Sequence, residues 1–252
     1  MVSLKAPHTA EFRFYEELNV FLPRERRCVS FDYRFRGNPG IKDAIEALGV
    51  PHTEVDLIVV DGQSRGFDYQ LRHGDRVAVY PVFESIDISP IVSLREAPLR
   101  KTAFVLDVHL GKLARLLRLL GLDVLYRKDF SDREIADISV CQHRIILTRD
   151  RRLLYDKRIT HGYYVRSIRP LLQAREVVAR FQLENSLQPF SRCLLCNGEI
   201  EPVAKALVEG QLEPKAARYY QEFFRCKGCG KVYWKGSHFR HLVKQLQTIR
   251  QS

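Results

Sequence analysis

The stretch FVLDVHLGKLARLLRLLGLDVLY, residues 104–126, decides the fold class of the chain. It opens with a short apolar run that ends on Asp107, continues with apolar residues at helical spacing, and closes with a second short apolar run. The segments SDREIADISVCQHRIILTRD (131–150) and YYVRS (163–167) continue this alternation of helix and strand. Short apolar strands separated by helices predict right-handed βαβ crossovers and therefore a parallel α/β sheet.

Acidic residues follow two of the predicted strands. Asp107 ends the run AFVLD, and Asp150 ends the run RIILTRD. In an open parallel sheet, functional groups collect beyond the carboxyl ends of the strands. Carboxylates gathered there repel one another unless a divalent cation or shared protons neutralise them. We therefore predict that Asp107 and Asp150 hold a metal ion, with a solvated turn as the alternative explanation for Asp150.

A third acid can come from the segment KDFSDREIADISV, residues 128–140. Ser131 and Glu134 have capping-box spacing, which predicts that a helix begins here. We favour Asp132, at the start of that helix, over Asp129 as the third metal ligand. Attraction between a carboxylate and the helix dipole explains Asp132 equally well without a metal.

The predicted helix LGKLARLLRLL (110–120) carries basic residues at every third position, opposite its leucines. Three further arginines, Arg149, Arg151 and Arg152, surround Asp150. Basic side chains beside a metal–carboxylate site are well placed to hold a phosphodiester backbone, whereas the alternative is an ordinary solvated helix face. We predict that nucleic acid is bound by Lys112, Arg115, Arg118, Arg149 and Arg152.

The chain of 252 residues has a net charge of +11, and this charge is unevenly placed. Residues 1–90 hold 11 Lys/Arg and 14 Asp/Glu, a net of −3, so residues 91–252 carry +14. Positive charge concentrated in one part of the chain predicts a polyanionic partner. The alternative is a basic surface without a function. No apolar run reaches the roughly 18 residues that cross a bilayer, and the N-terminus lacks an apolar leader. We expect a cytoplasmic protein without membrane insertion.

Four of the six cysteines form two C-x-x-C pairs, CLLC (193–196) and CKGC (226–229), with 29 residues between them. Each pair can place two thiolates on one turn, and four thiolates complete a closed tetrahedral zinc site. With no open coordination position, such a zinc ion is structural. The predicted ligands are Cys193, Cys196, Cys226 and Cys229.

The N-terminal part has the element order of a β-grasp fold. Alternating apolar residues in 11–22 and 28–37 predict a hairpin, 41–50 predicts a helix closed by Gly49, and 55–62 and 75–83 predict further strands. The segments ALGVPHTEVDLIVVDG and HGDRVAVYP resemble the ubiquitin-like domains of sulfur carriers. Sulfur carriers end in a free Gly-Gly tail, whereas this chain continues past Pro81. We therefore expect an accessory role, such as docking a protein partner.

Together, FVLDVHLGKLARLLRLLGLDVLY, RIILTRDRRLL, SRCLLCN and CKGCGKVYWKGSH resemble the Mut-seven C-terminal RNase family, a PIN-like nuclease domain followed by a zinc ribbon. The resemblance implies metal-dependent cleavage of RNA, with Asp107 and Asp150 at the family's acidic strand ends and magnesium or manganese as the cofactor. Arg166 and Ser167 stand where a further carboxylate is expected. The alternative is an RNA-binding protein, for tRNA or another structured RNA, that does not cleave.

These observations predict a mixed α/β protein built from successive domains. We expect a ubiquitin-like β-grasp domain over residues 1–86, a linker over 87–101, a PIN-like parallel-sheet nuclease domain over 102–185, and a zinc ribbon with a basic tail over 186–252.

Overall fold

The structure is a computed structural model that describes residues 8–81 and 102–250. The predicted linker 87–101 lies outside the described residues. The chain divides into two compact units, Met1–Arg100 with Asp150–Tyr164, and Lys101–Arg149 with Val165–Ser252. A short piece that lies within the predicted nuclease domain therefore belongs to the first unit.

The first unit contains a five-stranded sheet and one short helix. In chain order the elements are β1 (His8–Phe14), β2 (Phe31–Phe35), α1 (Ile41–Ala47), β3 (Val55–Val60), β4 (Gln63–Arg65) and β5 (Arg76–Pro81). The strand order is β2-β1-β5-β3-β4, with β1 parallel to β5 and antiparallel to β2. A parallel pair between the first and last strands is the arrangement of a β-grasp fold.

The hairpin forms with a shorter first strand than the sequence pattern predicts. Alternation continues to Leu22, but β1 ends at Phe14 and a 3-10 turn follows over Glu16–Phe21. The side-chain amide of Asn19 donates to the carbonyls of Phe14 and Glu16, which fixes this turn. A side chain that bonds the local backbone competes with strand pairing, which accounts for the difference.

The core of the first unit lies between this sheet and α1. The inward side chains of β1 and the apolar face of the helix are fully buried. The largest buried side chains of this core include Phe12, Phe14, Ile41, Ile45 and Ile58. Period-two alternation in the strand and three-to-four spacing in the helix bring these side chains to one interior.

The second unit begins with a parallel sheet. Its elements are β6 (Ala103–Leu106), α2 (Gly111–Leu119), β7 (Asp123–Leu125), α3 (Asp132–Gln142) and β8 (Ile145–Thr148). Within this unit β6 lies between β7 and β8 and runs parallel to both. The predicted mixed α/β class with a parallel sheet is confirmed.

The strand β9 (Gly162–Tyr164) and the 3-10 turn Leu153–Tyr155 lie in the returning piece of the first unit. The rest of the second unit comprises α4 (Pro170–Arg180), β10 (Ile200–Val203), α5 (Pro214–Tyr219), β11 (Phe223–Cys226), β12 (Val232–Trp234) and α6 (Ser237–Arg250). The last three strands form an antiparallel sheet in the order β10-β11-β12.

Within residues 8–81 and 102–250, no helix combines the length and apolar character that a membrane span requires.

Candidate functional site: a four-cysteine centre and an acidic strand end

The four predicted zinc ligands come together in the second unit. The Sγ atoms of Cys193, Cys196, Cys226 and Cys229 all lie within 4.8 Å of one another. Two pairs are closer, with Sγ–Sγ distances of 3.7 Å for Cys193 and Cys229 and 3.4 Å for Cys196 and Cys226. A tetrahedral zinc ion with Zn–S bonds of about 2.3 Å requires S–S distances of about 3.8 Å. The cluster therefore fits a structural zinc ion.

The chemistry of the thiols agrees with that fit. Burial alone raises the pKa of the Cys193 thiol, but hydrogen bonding with the Tyr233 hydroxyl and with nearby backbone groups outweighs it and lowers the pKa to about 6. Burial raises the pKa of Cys196 to about 12. Four thiolates this close repel one another, so a divalent cation is the natural means of keeping all four ionised.

The first C-x-x-C turn is bound to the parallel sheet by a buried arginine. Arg118, on α2, is only 3% exposed. Its Nη1 donates to the carbonyls of Leu194 (3.3 Å) and Leu195 (2.7 Å), and its Nε donates to the carbonyl of Val124 (3.0 Å). Burial lowers the pKa of this guanidinium from its ordinary value, while the neighbouring cysteines oppose that effect.

A carboxylate strengthens the same junction. Asp123, at the start of β7, accepts hydrogen bonds from Arg144 (2.8 Å) and Asn197 (2.7 Å) and lies 3.7 Å from Arg192. The side chain of Asn197 also accepts from the Val124 amide at 2.9 Å. Burial tends to raise the pKa of Asp123, but these partners outweigh it and hold the pKa below its ordinary value. The zinc ribbon is therefore joined to the sheet by charged and polar contacts.

The approach to the ribbon also requires a glycine. Gly121, just after α2, has a φ of +87°, and a Cβ there would lie 2.1 Å from the carbonyl oxygen of Gln188. The backbone amides of Gln188 and Phe190 donate to the carbonyls of Leu120 and Leu119. The chain entering the ribbon thus lies directly on the end of α2.

Asp107 is the predicted acid with the most defined surroundings. It follows β6 directly, is 3% exposed, and its Oδ2 accepts a hydrogen bond of 2.6 Å from the Thr148 hydroxyl. Its backbone amide donates to the carbonyl of Leu147 at 3.1 Å. These contacts hold a carboxylate at the carboxyl end of the central strand of the parallel sheet.

The other predicted acids lie in different settings. Asp150 comes two residues after β8, is partly exposed, and accepts from the backbone amide of Arg152 at 2.8 Å. Asp132 is exposed at the first position of α3, behind the capping box that Ser131 and Glu134 form. Asp129 is exposed and pairs with Arg127 at 3.1 Å. The predicted capping box is therefore present.

Only the cysteines form a metal-ligating group of three or more His, Cys, Asp or Glu side chains within the described part of the chain. Asp107 and Asp132 belong to the second unit, whereas Asp150 belongs to the first. The four cysteines of the predicted zinc centre are thus brought together within one unit.

The predicted basic residues also divide into different settings. Lys112 and Arg115 on α2 and Arg152 are exposed. Arg118 is buried under the ribbon, so the prediction that it faces nucleic acid is wrong. Successive residues of an α-helix are about 100° apart around its axis, so residues three positions apart differ in direction by about 60°. Arg118 therefore lies on a different face of the helix from Lys112. The Nη1 of Arg149 donates to the carbonyls of Val165, Arg166 and Ser167 at 2.7–2.8 Å.

Sequence reasoning overlooked the residues that support these centres. The sequence offers a signal for two of them, because Thr148 ends a predicted strand and Asn197 directly follows a C-x-x-C pair. Asp123 and Arg144 lack any local signal because their partners lie 74 and 21 residues away in sequence.

Two families match the chain. The Mut7-C RNAse domain matches residues 102–246, and the Mut7-C ubiquitin domain matches residues 7–87. Searches of curated proteins and of solved structures gave no match.

The family match associates the parallel sheet and the attached four-cysteine ribbon with a nuclease or RNA-related function. The match covers more than half of the chain, and the chain belongs to the Mut7-C RNAse domain family, with a Mut7-C ubiquitin domain before it. The resemblance inferred from the sequence motifs is confirmed.

Proposed function

We propose that this protein is a metal-dependent ribonuclease that hydrolyses phosphodiester bonds of RNA, with tRNA or another structured RNA as its substrate. The observation that carries the proposal is Asp107, a buried carboxylate at the end of the central parallel strand in a chain of the Mut7-C RNAse domain family. Functional groups of parallel α/β sheets collect at this edge.

In this proposal the catalytic carboxylates are Asp107 and Asp150, with Asp132 as the third. Carboxylate oxygens are the ligands that magnesium and manganese prefer, and such an ion, when bound, supplies Lewis acidity and a bound water of lowered pKa. The protein's own contribution is to hold these oxygens in position. The hydrogen bond from Thr148 supports that role for Asp107 because it fixes the orientation of the carboxylate.

The RNA backbone is held by basic side chains in this proposal. Lys112, Arg115 and Arg152 are exposed and can each neutralise a phosphate. The guanidinium of Arg149 is bonded to backbone carbonyls, which supports a role in holding the turn before α4 rather than in gripping RNA. The net charge of +14 over residues 91–252 favours RNA on this part of the chain.

The decisive experiment incubates the zinc-loaded protein with end-labelled tRNA and with single-stranded RNA, in manganese or in EDTA, beside Asp150→Asn. We expect cleavage that requires the metal and is abolished in the variant, while RNA affinity stays equal or rises because a negative charge near phosphate is removed. Equal cleavage by Asp150→Asn would show that the assignment of this residue is wrong.

A second candidate is an RNA-binding protein that does not cleave. The observation in its favour is that Arg166 and Ser167 stand where a further carboxylate of a PIN-like site is expected. The same experiment separates the two functions. Tight binding without cleavage in manganese or magnesium, unaffected by Asp107→Asn, would favour the binding protein.

Two further assignments belong to this proposal. We place the protein in the cytoplasm, where RNA substrates are available and a thiolate-bound zinc ion persists in reducing conditions. We also assign residues 1–86 to the ubiquitin-like domain, 102–185 to the nuclease domain and 186–252 to the zinc ribbon and basic tail, with a protein partner as one ligand of the first domain.

A further inference from the structure

The segment that follows Asp150 is held by the ubiquitin-like fold. We call Arg151–Tyr164 the returning segment; it lies within the region that matches the RNase family, yet it belongs to the first compact unit. Four of its apolar side chains are at most 4% exposed, namely Leu153, Leu154, Ile159 and Tyr163. A solvated loop does not bury its apolar side chains in this way.

Side chains of the returning segment donate to backbone carbonyls of the ubiquitin-like fold. The Tyr155 hydroxyl donates to Gly49 at 2.8 Å. The Arg151 guanidinium donates to the carbonyls of Phe21 and Val20, both at 3.3 Å, and lies 4.9 Å above the Phe21 ring. The acceptors are main-chain atoms, so the surface that binds the segment is set by the path of the chain after β1 and after α1.

The end of the segment packs on the core itself. Tyr164 contacts the apolar core of the ubiquitin-like fold, with its ring 5.5 Å from that of Phe21 in an edge-to-face arrangement. Its backbone amide donates to Oε1 of Glu54, a side chain that is 1% exposed. The segment thus supplies a hydrogen bond to a carboxylate that is buried in the folded protein.

His52 provides the contact from the other side. Its Nε2 lies 2.8 Å from the carbonyl of Ile159 and its Nδ1 lies 2.6 Å from Oε1 of Glu46. A carbonyl only accepts, so Nε2 carries a proton and donates to the segment. The imidazole is 6% exposed and connects Glu46 of α1 with the carbonyl of Ile159 in the returning segment.

We infer that the ubiquitin-like domain acts in cis, as a platform that fixes the returning segment and thereby positions Asp150. The surface formed by Phe21, Gly49, His52 and Glu54 is occupied by the chain's own residues, and a separate protein partner would have to use other faces. Asp150 directly precedes the segment, so an anchored Arg151 restricts where the Asp150 carboxylate can lie. The positioning role rests on the proposed ribonuclease function, whereas the docking of the segment does not.

The test uses the full chain with Arg151→Met and Tyr155→Phe combined, which removes three hydrogen bonds from the segment's side without altering the ubiquitin-like fold. Amide hydrogen exchange of the peptide covering 151–164 should become at least about tenfold faster, with exchange of β1 and β5 unchanged. His52→Gln should have a similar effect from the domain side. Arg158→Met is the matched control because its guanidinium bonds Asp156 within the same segment.

The same variants are then assayed for manganese-dependent cleavage. We expect kcat to fall about tenfold or more with little change in KM for both the double variant and His52→Gln, because the defect lies in positioning rather than in binding RNA. Unchanged exchange in 151–164 would overturn the docking, and unchanged kcat with faster exchange would overturn the positioning role. A wild-type protein that cleaves no RNA would instead overturn the ribonuclease function and with it the positioning role, while the exchange data would still decide the docking.

Discussion

The four-cysteine centre and the acidic strand end differ in how their ligands are brought together. Each C-x-x-C pair is one local turn, so only a single long-range pairing is needed to complete the zinc site, and all four sulfurs lie within 4.8 Å. Each carboxylate comes from a different strand or helix, so no single local turn brings the three together. The geometry of a site built from local pairs is thus determined largely by the backbone of its turns. The geometry of a site built from strand ends depends instead on the long-range contacts that position each strand.

The largest effect is expected at the zinc centre. Cys226→Ser should remove the zinc ion and unfold the ribbon, because a structural zinc site contributes on the order of 10 kcal/mol to folding. Zinc content by mass spectrometry and far-UV circular dichroism measure this loss. Cys141→Ser is the control, since Cys141 is an exposed cysteine outside the cluster. Full zinc occupancy in Cys226→Ser would mean that three thiolates suffice.

A smaller effect on folding is expected at the acidic strand end, where a mutation should reduce catalysis rather than stability. Asp107→Asn should lower kcat roughly 100-fold or more while changing stability by less than about 1 kcal/mol, because an amide oxygen still accepts from Thr148. Cleavage assays and urea unfolding on the same samples separate the two quantities.

Asp132 and Asp129 sharpen this comparison because the sequence leaves the third acid open. If Asp132 is a ligand, Asp132→Asn should reduce cleavage much more than Asp129→Asn, whose carboxylate pairs with Arg127. Equal losses in the two variants would contradict the choice of Asp132.

Mutation of the junction between the zinc ribbon and the parallel sheet should have an intermediate effect on stability. Arg118→Met removes three hydrogen bonds from a buried cation to carbonyls and should destabilise the second unit by about 3 kcal/mol, with weaker retention of zinc against a chelator. Arg115→Met, on the exposed face of the same helix, should leave both unchanged. Thermal unfolding and chelator competition decide between them, and equal stability in the two variants would contradict the role of Arg118.

The success of sequence reasoning followed the range of the interactions. The zinc ligands, the capping box at Ser131 and the parallel sheet depend on spacing and periodicity within short segments, and the structure contains all three. Arg118 was assigned to the wrong face because a period of three differs from the helical period of 3.6. The membership of Arg151–Tyr164 in the first unit has no sequence signal, since its partners such as Gly49 lie more than 100 residues away.

The smallest effect on stability is expected when the pH is lowered. The pKa of Asp123 is held below its ordinary value of 3.8 by Arg144, Asn197 and Arg192 against the opposing effect of burial. A depressed folded-state pKa gives stability that is present above pH 3.8 and is lost as the pH falls through the folded value. Asp123→Asn should therefore cost about 1 kcal/mol at neutral pH after solvent screening, with the cost shrinking below about pH 4. Urea unfolding across this range measures it, and a constant difference would contradict the assignment.

The division of the first unit into two pieces of chain has a consequence for biosynthesis. Residues 1–81 leave the ribosome first, but the surface around Gly49 and His52 stays uncovered until Tyr164 has emerged. At translation rates of about 5–20 residues per second, that interval is on the order of ten seconds. During it the nascent β-grasp fold lacks the hydrogen bonds and apolar contacts that the returning segment later supplies.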